Sequence, residues 1–130
     1  MLKKSLELFV VDDDIEDQEI FMMALDDVNQ EVACSMASNS IDALNKLRND
    51  PSYVPDYIFL DINMPKMTGL QCLPEIRKLD RMKDVKIIIS STTTDKRMIE
   101  KSMELGATDY LVKPTGLTAL SASLTRILKA

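Results

Sequence analysis

Three consecutive aspartates, Asp12-Asp13-Asp14, close the first apolar run of the chain, and Asp61 closes another. Carboxylates gathered in one crevice repel each other, so they either bind protons more tightly than usual or share a cation, and hard oxygen ligands suit Mg²⁺. Two further apolar runs end in Ser90-Ser91-Thr92 and in Lys113-Pro114. A lysine ammonium neutralises phosphoryl oxygens while a hydroxyl donates to one of them, and these are the electrostatic parts that phosphoryl transfer requires. Each group also has an ordinary use. Aspartates suit helix N-termini, which is the reading preferred for Asp14, serines and threonines after strands make turns, and single lysines are commonly solvated. The conjunction at four run ends is what singles these residues out.

These residues are brought together by a chain whose apolar runs recur at fairly even intervals. The runs are Leu6 to Val11, Glu31 to Ala37, Tyr57 to Leu60, Val85 to Ile89 and Thr108 to Val112, and their continuous apolar stretches suit strands covered on both faces. Helical stripes lie between them: Ile20, Met23, Ala24 and Val28; Ile41, Leu44 and Leu47; Leu70, Leu73, Ile76 and Leu79; Met98, Ile99 and Met103 before a stop at Gly106. Leu117, Leu120, Leu124, Ile127 and Leu128 form the last. Five strand-then-helix repeats predict an α/β fold, a parallel sheet with helices on both faces. Periodicity does not give the strand order; with order 2-1-3-4-5, strands 1 and 3 would meet at the switch point where such folds bind ligands. No linker or repeat divides residues 1–130, so one domain is expected.

Composition narrows the chemistry. The chain has no histidine, which excludes serine or cysteine triads built on one and any role as the histidine-phosphorylated member of a relay. A net charge of −5, without a basic face, argues against nucleic acid as a direct partner. No apolar stretch approaches the ~18 residues of a membrane span, and the broken early run speaks against a signal peptide, so a cytoplasmic place is expected. Cys34 and Cys72 belong to no Cys-x-x-Cys pair and are expected to be reduced and structural. The nine methionines are expected to fill the core, with Met98 and Met103 the first to inspect for partner contact.

Val10-Val11-Asp12-Asp13, Leu60-Asp61-Ile62-Asn63-Met64-Pro65 with Gly69, the Ser91 hydroxyl and Val112-Lys113-Pro114 together resemble the signature of response-regulator receiver domains, over essentially the whole chain. The resemblance implies a flavodoxin-like three-layer α/β/α sandwich with a five-stranded parallel sheet of order 2-1-3-4-5. It implies Asp61 as the phosphoryl acceptor, with Asp13 and the Asn63 backbone carbonyl completing direct coordination of Mg²⁺ (or Mn²⁺) and Asp12 acting through a metal-bound water. Lys113 would pair with the carboxylate and then with the phosphoryl group, and Ser91 would move toward the new phosphate. Tyr110 occupies the aromatic switch position; read alone, it is equally a half-buried strand tyrosine. The implied partners are a sensor histidine kinase or phosphotransfer protein upstream, and an effector protein docked on helix 4, strand 5 and helix 5. Catalysis would be limited to the chain's own phosphorylation and dephosphorylation at Asp61.

Several positions depart from the common pattern. Pro74 inside the third helix predicts a late start or a kink. Thr115 replaces a common aromatic, and Thr92 a smaller residue that would leave more room for attacking water. The resemblance also implies a cis Lys113–Pro114 bond, where an X-Pro pair alone favours trans. Ser90 and Thr92 remain rivals of Ser91 for the hydroxyl role. Two other functions stay open: a phosphorylation-independent binding module of the same fold, and a phosphatase of the haloacid dehalogenase type using Asp12-x-Asp14.

Overall fold

A computed structural model describes residues 6–29 and 31–128. The expected unit of residues 1–130 extends past these limits, with residues 1–5, 30 and 129–130 outside the described residues. Strand and helix alternate throughout: β1 (Glu7–Val11), α1 (Ile15–Val28), β2 (Ala33–Ala37), α2 (Ser40–Asn49), β3 (Tyr57–Asp61), α3 (Gly69–Arg77), β4 (Lys86–Ser91), α4 (Lys96–Glu104), β5 (Asp109–Val112) and α5 (Leu117–Leu128). A single 3-10 turn, Asp80–Met82, follows α3. The five strands form one parallel sheet in the order β2-β1-β3-β4-β5, so the doubly wound, flavodoxin-like α/β/α sandwich is the observed fold.

Alternation along each strand sends successive side chains to opposite faces. Phe9, Val11, Ile58, Leu60, Ile87 and Ile89 join Ala43, Leu44 and Leu47 of α2 and Cys72, Leu73 and Ile76 of α3 in one core, with Met98 of α4 at its margin. Leu8, Val10, Tyr57, Phe59, Ile88 and Leu111 join Phe21, Ala24 and Leu25 of α1 and Leu120 and Leu124 of α5 in the other. At roughly 1.5–3 kcal/mol for each large apolar side chain buried, these two layers dominate the stability of the fold.

Several expectations need correction. β2 begins at Ala33 rather than Glu31, and β4 runs through Ser91, so Ser90 and Ser91 are strand residues rather than turn residues. On α1 the buried stripe is Phe21, Ala24 and Leu25, whereas Ile20 and Met23 are exposed; Ile41, Met103 and Leu117 are exposed as well. Residues 20 to 25 are all apolar, so period alone leaves the phase of that helix open. The third helix starts on time despite Pro74 in its interior, held by a capping box between Thr68 and Gln71 and by burial of Cys72, Leu73 and Ile76. The Lys113–Pro114 bond is trans, like every described peptide bond. Gly106 does end α4, at φ 113°. The methionines divide: Met64 and Met82 are buried, whereas Met22, Met23 and Met103 are exposed.

Candidate functional site

The carboxyl ends of β1, β3, β4 and β5 frame a cleft of about 80 Å³ on the α1–α5 side of the sheet. Its direction follows from strand parity. Asp12 shares a face with Val10, Asp61 with Phe59, Ser90 with Ile88 and Lys113 with Leu111, and all of these but Ile88 line the cleft, along with Asp17 of α1.

Asp12 and Asp61 are buried and Asp13 is exposed, and each offers a carboxylate oxygen within 4.8 Å of the other two. The Lys113 ammonium reaches Asp17 Oδ2 at 3.0 Å, Asp12 Oδ2 at 3.1 Å and Asp61 Oδ1 at 3.5 Å. Asp12 is further held by the Asp14 backbone N–H, which donates to its Oδ1 at 2.9 Å, and by Gln18 Nε2, which donates to its carbonyl oxygen at 2.6 Å. Burial pushes the Asp61 carboxyl up to about 6; Lys113 and the Asn63 backbone pull it down, and Asp12 adds to the rise. Asp12 is raised too, first by burial, against the pull of the Asp14 N–H and of Lys113. Burial opposes the Lys113 charge, yet Asp17, Asp61 and Asp12 outweigh it and raise the ammonium above its ordinary value. A cluster of hard oxygen donors left short of positive charge fits a small divalent cation.

Asp14 caps α1, accepting from the backbone N–H groups of Glu16 at 2.9 Å and Asp17 at 3.2 Å. Its carboxylate therefore serves the helix rather than the cleft, where a dehalogenase-type acid would have to stand. Asn63 is exposed, two residues beyond Asp61. The loop it opens is drawn tightly back by Gly69, whose N–H donates to the Ile62 carbonyl at 3.0 Å; a Cβ on Gly69 would lie 2.1 Å from the Asp61 carbonyl oxygen.

The two hydroxyls of β4 part company. Ser90 lines the cleft, whereas Ser91 lies on the opposite face, fully buried, its Oγ accepting the Thr93 N–H at 3.2 Å. The half-buried Tyr110 donates its hydroxyl to the Thr93 carbonyl at 3.0 Å. One peptide segment of the β4–α4 loop is thus held by both. Thr92 and Thr115 are exposed. Cys34 and Cys72 are free thiols, each pushed up to about 11 by burial, in keeping with unreactive structural residues.

Sequence reading missed Asp17 and Gln18. Both sit on α1, and only the crossing of that helix over the sheet edge brings them to Lys113 and to the Asp12 carbonyl.

A parallel sheet that gathers carboxylates and one lysine at its switch point marks a flavodoxin-like α/β protein with an acidic, phosphoryl-compatible site. Residues 8–125 match the model of the response regulator receiver domain, and the chain belongs to that family. It is 30% identical over 124 residues to the probable C4-dicarboxylate response regulator DctR of Bacillus subtilis, across 95% of this chain and 53% of that protein. It is 26% identical over 115 residues to the chemotaxis protein CheY of Thermotoga maritima, across 88% of this chain and 94% of that one. The solved structure of the phosphorylated cyanobacterial phytochrome response regulator RcpA superposes with a TM-score of 0.87 at 25% identity, covering 97% of this chain and 93% of that one. The chain spans about half the length of the Bacillus relative.

Proposed function

We propose that this receiver domain is a phosphorylation switch of two-component signalling, in which Asp61 accepts a phosphoryl group from a sensor histidine kinase or phosphotransfer protein. The observation that carries the reading is the buried Asp61 carboxylate, 3.5 Å from the Lys113 ammonium and clustered with Asp12 and Asp13 at the switch point. The phosphorylated state named for the RcpA relative agrees with it. Asp13 and Asp61, with Asn63, would hold Mg²⁺ (or Mn²⁺), and Asp12 would act through a bound water. The cation shields the negative charges that meet when carboxylate and phosphate approach. An Asp61 oxygen then attacks phosphorus in line, the bond to the donor nitrogen breaks with its electron pair leaving on the donor, and Lys113 balances charge on the phosphoryl oxygens.

The acyl phosphate adds charge at the sheet edge. Ser91, whose hydroxyl faces away from the cleft here, would have to turn toward the phosphate at the sheet edge and so release the Thr93 N–H, and Tyr110, bonded to the carbonyl of the same residue, would be freed to turn inward. That change biases the surface of α4, β5 and α5 toward an effector protein, and roughly 1–3 kcal/mol of differential contact suffices. Output is through protein contact, in the cytoplasm, without nucleic acid or membrane as direct partner; among the described residues no helix is long and apolar enough to cross a membrane.

Intact-protein mass after incubation with Mg²⁺ and a small acyl or amido phosphate tests the reading. One phosphate adduct that needs Mg²⁺ and disappears in Asp61→Asn is expected. A chain that gains no adduct, yet binds its effector unchanged, would instead be a phosphorylation-independent module.

A further inference from the structure

An ammonium has three N–H donors, and Lys113 faces three carboxylates. Two of them, Asp12 and Asp61, have parts in the proposed chemistry. The third, Asp17, lies at 3.0 Å, nearer than Asp61 at 3.5 Å. Burial does not force it there, because its side chain is 41% exposed and solvent is open to it. It crosses from the first turn of α1 to the end of β5, and so holds the ammonium toward the α1 wall of the cleft.

We propose that Asp17 is a latch for Lys113, a positioning residue that competes with the phosphoryl group for the ammonium and thereby lowers the affinity of the site for it. The proposal rests on Asp61 being the acceptor. A phosphoryl group brings more negative charge to Asp61 than the carboxylate carried, and Lys113 is the cationic side chain paired with that residue. If the ammonium moves to the phosphoryl oxygens, its contact with Asp17 is stretched; if it stays, the phosphoryl group is left with the metal as its counter-charge and without the ammonium. Either course makes the phosphorylated state harder to reach than it would be without Asp17. A pair with one half-exposed partner is modest in strength, which sets the expected effect at about two- to fivefold.

The test is the affinity for beryllofluoride, a stand-in for the phosphoryl group on a carboxylate, measured by fluorine NMR in Mg²⁺ for the unaltered chain, Asp17→Asn and Glu16→Gln. Glu16 is an exposed neighbour in the same helical turn, so its variant reports the general effect of removing negative charge. Binding about two- to fivefold tighter in Asp17→Asn, with Glu16→Gln unchanged, is expected. An unchanged or weaker Asp17→Asn, or an equal gain in Glu16→Gln, would overturn the latch while leaving Asp61 as acceptor. An unaltered chain that takes no beryllofluoride would overturn the functional reading itself.

Discussion

The Asp61 carboxyl, pushed up to about 6 by burial, makes stability depend on pH in a definite direction. Between the ordinary value of 3.8 and about 6 the folded chain holds a proton there that the unfolded chain has released, so this group's contribution to stability falls as pH rises through that window. Asp61→Asn in metal-free buffer at pH 7 is therefore expected to raise stability by on the order of 2 kcal/mol, seen by calorimetry as a melting point higher by several degrees. The gain should fade by about pH 4; a variant destabilised at pH 7 would mean that the carboxylate is satisfied as it stands. Gly69→Ala acts on the same residue through the backbone, since its Cβ would meet the Asp61 carbonyl oxygen at 2.1 Å. No flexible side chain can yield there, and a loss of at least about 2 kcal/mol in denaturant unfolding is expected. Asp12, Asp13, Asp61 and Lys113 were legible in the sequence because each ends an apolar run or follows one directly. Asp17 was not, because proximity across a helix–sheet crossing leaves no trace in spacing.

Among the elements, all five strands and five helices were legible, as hydrophobic period and turn residues mark them independently of tertiary contacts. Their faces were harder. Every residue from Ile20 to Leu25 is apolar, and only packing on the sheet and α5 selects Phe21, Ala24 and Leu25 for burial. The position of Ser91 shows the same limit, since extending β4 by two residues places its hydroxyl under the Thr93 N–H on the face away from the cleft. The β4–α4 loop should respond when one hold on it is removed. Tyr110→Phe deletes the 3.0 Å bond to the Thr93 carbonyl and is expected to lower stability by about 1 kcal/mol. Amide exchange should quicken around Thr93 and Thr94 while α5 stays unchanged; an unaltered loop would show that Tyr110 does not restrain it.

For the molecule as a whole, alternating elements point to a parallel α/β sheet, but the order 2-1-3-4-5 came only with the family resemblance, because nothing in period or propensity says which strands are neighbours. That order is what turns scattered aspartates into one cluster, and a divalent cation held there would make stability depend on its concentration. Mg²⁺ at about a hundred times its dissociation constant would add about 2.7 kcal/mol. A melting point that climbs with Mg²⁺ in the unaltered chain and much less in Asp13→Asn is expected; equal climbs would place the ion elsewhere. The claim on which switch, latch and output all depend is the identity of the acceptor. Borohydride reduction of the chain after phosphorylation, followed by peptide mass mapping, reads it directly, because only an acyl-phosphorylated carboxyl is reduced to the alcohol. The reduced residue is expected at position 61 alone; reduction at Asp12, or at no aspartate in a chain that carries phosphate, would contradict the claim.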